Sequence, residues 1–315
     1  MTPAVHTAGL RKTYGDREAV GGLDLTVPAG QTFGFLGPNG AGKSTTIGML
    51  CTVLRPTAGH AEVAGYDVLH QSAEVRRNIG LIFQESTLDV DLTAVENLRF
   101  QAELYGVPRR RVRQAIAELL ELVGLTDRKD SPVGTFSGGM RRRLEIARGL
   151  LHTPRVLFLD EPTTGLDPQT RVAIWDHLHR MRRELDITIF LTTHHLEEAE
   201  NCDRIAIIDG GELVVEGTPA ELKAVIGADL VTLRTGGDQA TVVRALRDRF
   251  GLEATADADG VRVRVTDGAS FVPRLCGELA VPVRSVTVTE PSLDDVFLHY
   301  TGRTIREADT AGSRG

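Results

Sequence analysis

Nine consecutive residues, Gly37-Pro38-Asn39-Gly40-Ala41-Gly42-Lys43-Ser44-Thr45, carry the spacing Gly-x4-Gly-Lys-Ser. The chemistry open to such a run is phosphate binding. Its glycines let the chain turn tightly and aim backbone N–H groups at phosphate oxygens, and the helix that starts there adds its partial positive charge. Lys43 is the group to reach the β and γ phosphates, and Ser44 the hydroxyl to ligate Mg2+. A second pair closes the apolar run Val156-Leu157-Phe158-Leu159, namely Asp160 and Glu161. Carboxylates at the carboxyl end of a buried strand sit where open α/β sheets bind ligands. Asp160 is expected to help hold Mg2+ and Glu161 to orient and polarise an attacking water. Each motif also has a bland reading, a Gly-rich connector in one case and a solvated strand end in the other. Their joint presence, each in its expected local context, favours phosphoryl transfer over both.

The elements that must position these groups are legible in outline. A short apolar run, Thr32 to Leu36, feeds the Gly-rich loop, after the alternation of Leu23, Leu25 and Val27. Further buried strands are expected at Ile79 to Phe83, Val156 to Asp160, Thr188 to Thr192 and Arg204 to Asp209. Strands alternating with helices predict a parallel sheet. Between Asp91 and Leu151 the apolar residues fall at helical spacing, Ala115, Ile116, Leu119, Leu120 and Val123 most clearly, which predicts a helical insertion. After Glu221 the pattern becomes strands at Leu230 to Arg234, Val261 to Val265 and Val283 to Thr289, with helices at Gln239 to Phe250 and Ser270 to Leu279. If Leu252 to Ala256 is also a strand, the order is βαββαβ. The expected domains are residues 1–220 with a helical subdomain at about 88–151, residues 221–303, and a disordered tail at 304–315.

Phe136-Ser137-Gly138-Gly139-Met140, followed by Arg141-Arg142-Arg143-Leu144-Glu145-Ile146-Ala147-Arg148, resembles the signature of ABC-type ATPases. The other family elements occur in the family's order. The resemblance spans about Val5 to Gly217 and implies a role for each matching residue. Tyr14 would stack on adenine, Gln84 would be the Q-loop glutamine that reaches both the metal and the water, Asp167 would belong to the D-loop, and His194 would contact the γ phosphate. Ser137, Gly138 and Gly139 would face the nucleotide. The fold implied is a P-loop α/β ATPase with a parallel-sheet core, an antiparallel β subdomain and a helical subdomain, followed by a small α+β domain. Phe136 and Met140 in the signature, with the C-terminal segment Glu290-Pro291-Ser292-Leu293-Asp294-Asp295-Val296-Phe297-Leu298, are similar to the daunorubicin-resistance type of drug-exporter ATPase subunit. This implies hydrolysis of ATP with Mg2+ in a homodimer that sandwiches the nucleotide between two copies, one giving the P-loop and the other the Ser-Gly-Gly helix N-terminus. It also implies a separate integral membrane permease, docked near Gln84 to Tyr105, with this chain peripheral on the cytoplasmic face.

Composition bounds these readings. The 315 residues are 41% hydrophobic and 25% charged, the balance of a folded globular protein of about two domains. A net charge of −7 argues against nucleic acid as a partner. Cys51, Cys202 and Cys276 are far apart and odd in number, which argues against a disulfide framework or a structural zinc site. Neither a leader peptide nor a membrane span is expected. A soluble relative acting on nucleic acid or the ribosome is disfavoured by the single ATPase unit and the lack of a long coiled coil, a GTPase switch by the lack of Asn-Lys-x-Asp, and a nonenzymatic regulator by Glu161. Several side chains receive plain structural readings. Arg109 to Arg111 and Arg141 to Arg143 are expected on solvated helix faces, His177 and His179 on the surface, His195 in a loop, and Trp175 and Met181 in helix packing. His194 and His195 with Glu197 and Glu198 are not expected to hold a metal.

Overall fold

The computed structural model describes residues 2–236, 238–257, 260–279 and 281–304. The tail expected from 304 onward lies outside the described residues except for Thr304. The chain divides into a unit formed by residues up to Pro219 together with those from Arg303, and a second unit spanning Ala220–Gly302.

In the first unit, β1 (Val5–Tyr14), β2 (Arg17–Val27), β3 (Thr32–Leu36), α1 (Lys43–Leu50), β4 (Ala58–Val63), β5 (Tyr66–Asp67), α2 (Ser72–Asn78) and β6 (Ile79–Ile82) lead into three helices. These are α3 (Ala94–Leu104), α4 (Arg109–Leu122) and α5 (Gly138–Leu150). The chain then returns through β7 (Val156–Asp160), α6 (Pro168–Leu185), β8 (Thr188–Thr193), α7 (Leu196–Ala199), β9 (Arg204–Asp209) and β10 (Glu212–Gly217). The six-stranded core sheet has the order β10-β9-β3-β8-β7-β6, parallel except for the edge strand β10. Strands β3, β7 and β8 are buried along their whole length, as continuous apolar runs covered on both faces must be. Phe190 lies at the middle of this sheet, with ring centroids 5.5, 5.7 and 5.3 Å from Phe33, Phe35 and Phe158.

The antiparallel sheet β2-β1-β4-β5 contains a ten-residue strand, β1, that periodicity did not single out. The reason is local. Its pairing with β2 shifts register between Thr7 and Leu10, between Leu10 and Arg11, and between Lys12 and Thr13, and each shift breaks the two-residue alternation. The helices α3 to α5 form the expected insertion. Thr93 caps α3 in a box with Glu96, and Ser137 caps α5 by accepting from the Met140 N–H. Helix α5 lies so close to β6 that a Cβ on Gly80 would stand 2.4 Å from the Gly149 carbonyl oxygen. Glycine at position 80 therefore sets the distance between the helix that carries the Ser-Gly-Gly segment and the core sheet.

The second unit contains α8 (Pro219–Ile226) after its first residue, then β11 (Asp229–Thr235), α9 (Gln239–Phe250), β12 (Ala254–Asp257), β13 (Gly260–Val265), α10 (Gly268–Glu278), β14 (Val283–Thr289) and α11 (Leu293–Thr301). From β11 to β14 the order is the expected βαββαβ. Its antiparallel sheet runs β12-β13-β11-β14 and packs Val231, Leu233, Val261 and Val263 against Val242 and Leu246 of α9 and Phe271 and Leu275 of α10.

Two side-chain expectations need correction. Arg142 is 6% exposed and belongs to the interior, because carbonyls and a carboxylate satisfy its guanidinium. His177 and His179 are half-buried on α6, where His177 Nδ1 lies 2.9 Å from the Arg180 guanidinium and His179 packs against Trp175. His195 lies in the loop between β8 and α7, as expected, where it is the N-cap residue of α7 and half-buried. Arg109 to Arg111 are exposed, and Trp175 and Met181 are buried, as expected.

Candidate functional site

The Gly-rich loop leaves the carboxyl end of β3 and enters α1 with backbone only glycine accepts. Gly42 has φ +106°, and a Cβ there would stand 2.5 Å from the Ala19 carbonyl; a Cβ on Gly37 would stand 2.3 Å from the Ile208 carbonyl. The loop borders a cavity of about 380 Å3 lined by Tyr14, Arg17, Ala19, Asn39, Gly40, Gly42, Lys43, Ser44, Thr45, Gln84 and Glu161. Four separate chain segments thus converge on one space. Tyr14 is half-exposed at its edge, with the Lys12 ammonium 5.0 Å from its ring centre.

Parallel pairing explains why the carboxylates meet the loop. Strand β7 lies next but one to β3, with β8 between them, and Asp160 pairs with Thr192 at the strand ends. The Thr192 hydroxyl donates to Asp160 Oδ1 at 2.5 Å and accepts from the Glu161 N–H at 3.0 Å. Ser44 Oγ lies 3.2 Å from the same Asp160 oxygen. A serine hydroxyl, a carboxylate and the Gln84 amide offer oxygen donors of the type that Mg2+ takes, so the residues fit that ion by donor chemistry.

Glu161 is buried and surrounded by donors. Lys43 Nζ and His194 Nδ1 lie 3.4 and 3.2 Å from Oε1, while Thr164 Oγ1 and Gln84 Nε2 donate to Oε2 at 3.1 and 3.4 Å. Burial pushes this carboxyl upward, but the His194 hydrogen bond, the Lys43 charge and the Thr164 hydroxyl outweigh it and hold the acid down at about 2. Lys43 also donates to the Gly37 and Pro38 carbonyls at 2.7 and 3.1 Å, so its ammonium is held inside the loop.

A carboxyl depressed from 4.5 to about 2 stabilises the fold when ionised, above its unfolded value, and the contribution is lost as pH falls from 4.5 through 2. The difference in thermal midpoint between the nucleotide-free protein and its Glu161→Gln variant is therefore expected to narrow between pH 5 and pH 2. A gap that stays constant over that range would show that the ion pairing of Glu161 carries no stability.

The remaining residues singled out in the sequence lie elsewhere in the same chain. Gly37, Pro38 and Ala41 shape the loop without lining the cavity. Ser137, Gly138 and Gly139 start α5 and do not line it either. Gly138 borders a different space, of about 190 Å3, with Arg142, Pro162, Thr164 and the other side of Glu161. Asp167 caps α6 by accepting from the Thr170 N–H at 3.0 Å, and the Thr170 hydroxyl and N–H hold its carboxyl below the usual range. Sequence reasoning missed Thr192, Thr164 and Arg142, whose roles come from contacts across strands and helices. It also left Glu198 without a role. That buried carboxylate joins the Thr163 hydroxyl, the Thr193 hydroxyl at 3.2 Å and Arg171 at 3.4 Å.

Residues 20–164 match the family described as ABC transporter, and residues 217–301 match the one described as ATP-binding protein DrrA1-3-like, C-terminal domain. The chain is 44% identical to the daunorubicin/doxorubicin resistance ATP-binding protein DrrA of Streptomyces peucetius, over 98% of this chain and 96% of that protein. It is 39% identical to the Nod factor export ATP-binding protein I of Ralstonia nicotianae, over 97% and 96%. With the linearmycin resistance ATP-binding protein LnrL of Bacillus subtilis it shares 37%, over 95% and 98%. Among solved structures, cbiO1 from Clostridium perfringens, part of the ABC transporter complex cbiONQ, superposes with a TM-score of 0.67 at 27% identity, over 80% of this chain and 97% of that one. A dimeric post-hydrolysis state of the ATP-binding cassette MJ0796 bound to ADP and Pi gives 0.61 at 27%, over 68% and 98%.

Proposed function

This chain belongs to the ABC transporter family as an ATP-binding subunit, and on that premise we propose that it works as a nucleotide-sandwiching homodimer that powers export of a drug-like or hydrophobic small molecule through a separate membrane protein. It is an ATPase, as its family and its structural relatives are. The observation that carries the dimer is the separation of Ser137, Gly138 and Gly139 from the cavity at Lys43. A helix N-terminus suited to an anion stands apart from the phosphate loop of its own chain, and a second copy related by a two-fold axis brings the two together twice. The solved relative bound to ADP and Pi is dimeric.

In the proposed site Tyr14 stacks on the adenine, backbone N–H groups of the loop between Asn39 and Thr45 cradle the phosphates, and Lys43 reaches their outer oxygens. Ser44, Gln84 and Asp160 would hold Mg2+, which supplies charge neutralisation on the phosphates when bound. Glu161 polarises the attacking water, and His194 contacts the γ phosphate. Asp167 lies at the dimer contact.

Among the described residues no helix is long and apolar enough to cross a membrane. On the family reading the chain acts from the cytoplasmic face, docked on a permease. A groove of about 510 Å3 suits this contact. Exposed Val53, Phe83, Phe100, Leu104 and Tyr105 line it, with Arg76 and Arg148 also bordering it, so a short amphipathic helix from the permease finds apolar and ionic partners. The relatives carry names for resistance to daunorubicin or linearmycin and for export of a Nod factor, at similar identity. Such a spread supports the reading that the permease chooses the substrate.

The test is affinity purification of the tagged Glu161→Gln chain with ATP from mildly solubilised native membranes. A stoichiometric multi-span protein is expected. Recovery of ribosomal or nucleic-acid-bound proteins without a membrane partner would overturn the exporter reading.

A further inference from the structure

Arg142 stands on α5 and holds three main-chain carbonyls from two other parts of the chain. Its Nε–H donates to the Pro162 oxygen at 2.8 Å, and its two terminal nitrogens donate to the Phe83 and Asp160 oxygens at 2.6 and 3.1 Å. Pro162 and Asp160 are the residues on either side of Glu161, and Phe83 directly precedes Gln84. The charge is balanced by Glu145, one turn along the helix, whose Oε2 lies 3.1 Å away and whose Oε1 accepts from the Thr87 N–H at 3.1 Å. Both partners are almost fully buried.

The residue between the two held carbonyls has unusual backbone. Glu161 has φ +45°, in the left-handed region that a non-glycine residue enters at a cost. Such a conformation persists where the surroundings impose it. Here Thr192 holds the Glu161 N–H, and one planar guanidinium holds the carbonyl before it and the carbonyl after it. We propose that Arg142 is a positioning residue for hydrolysis: by clamping the Asp160 and Pro162 carbonyls it fixes the left-handed turn that aims the Glu161 carboxylate, and by holding the Phe83 carbonyl it keeps Gln84 in register with that carboxylate. The task calls for a guanidinium. Its donors are fixed in one plane, so a single group reaches three acceptors that diverge, whereas the ammonium of lysine is a point charge on a flexible stem.

The proposal rests on the assignment of Glu161 as the group that polarises water. Steady-state hydrolysis by Glu161→Gln, measured alongside, tests that assignment separately: normal turnover there removes the assignment whatever the Arg142 variants do.

Two variants of the full chain test Arg142 itself. Removing Arg142 alone would strand the buried Glu145 carboxylate, so the first is the pair Arg142→Met with Glu145→Met, because apolar residues can replace a buried ion pair with little loss of stability. The second is Arg142→Lys, which keeps a charge opposite Glu145. Each variant is first titrated with urea and then assayed for ATP hydrolysis. Both are expected to lose about 10- to 100-fold in kcat with KM for ATP within about threefold of wild type, the signature of a misaimed group in an intact binding site. Wild-type kcat in either folded variant overturns the proposal, as does a loss confined to KM. If the double methionine variant does not fold, Arg142→Lys decides alone.

Discussion

Glu161→Gln is expected to lower ATP turnover by about 100- to 10,000-fold while ATP still binds, and to trap a dimer that persists in ATP and dissociates when nucleotide is removed. The amide keeps the size and shape of the acid and can still meet the Thr164 hydroxyl and the Gln84 amide. It loses the negative charge that a water must lean on to attack phosphorus. The phosphate loop, Lys43 and the Ser44–Asp160 pair are untouched, so affinity survives. In the proposed cycle hydrolysis separates the two copies, so blocking it holds them together. Single-turnover hydrolysis combined with sedimentation in ATP reads both effects. Turnover at the wild-type rate would remove Glu161 from the mechanism.

Lys43→Ala is expected to fail one step earlier, with ATP affinity reduced by about 10- to 150-fold, the worth of one charge-assisted hydrogen bond of about 1.5–3 kcal/mol. The structure adds a second consequence. Lys43 is 4% exposed and its ammonium stands 3.4 Å from Glu161 Oε1, so alanine leaves a buried carboxylate with one cation fewer. The Glu161 carboxyl should then titrate above its present value of about 2, since the Lys43 charge is one of the causes that hold it there. The two variants therefore separate cleanly in isothermal titration with ATP: Glu161→Gln retains the binding heat and Lys43→Ala loses most of it. Equal affinity of both variants for ATP would mean that the lysine does not reach the phosphates.

The legibility of this protein differed from one element to the next for physical reasons. Strands β3, β7 and β8 could be read because parallel strands covered on both faces need unbroken apolar runs, and Thr32 to Leu36, Val156 to Leu159 and Thr188 to Leu191 supply them. Helix α9 was placed to the residue, since an aspartate cap at Asp238 and a left-handed glycine at Gly251 bracket it. Strand β1 was not placed, because its register shifts erase the alternation on which such a reading depends. Arg142 was misread for a different reason. An arginine in a run of three on an amphipathic helix is usually solvated, and nothing local announces that three carbonyls wait opposite it.

The amino-acid sequence by itself determined the chemistry. Glycines that permit a tight loop, a lysine and a serine behind them, and two acids ending an apolar run suit phosphoryl transfer in any fold that brings them together, and those properties belong to residue types and short spacings. The tertiary structure alone decided which groups meet and in what state. Only the insertion of β8 between β3 and β7 sets Thr192 against Asp160, and only the approach of α5 to the ends of β6 and β7 brings Arg142 to the carbonyls around Glu161. Contacts between residues tens of positions apart depend on strand order and helix packing, which the whole chain settles together. The depressed acidity of Glu161 and its left-handed backbone follow from those contacts and from no property of the residue itself.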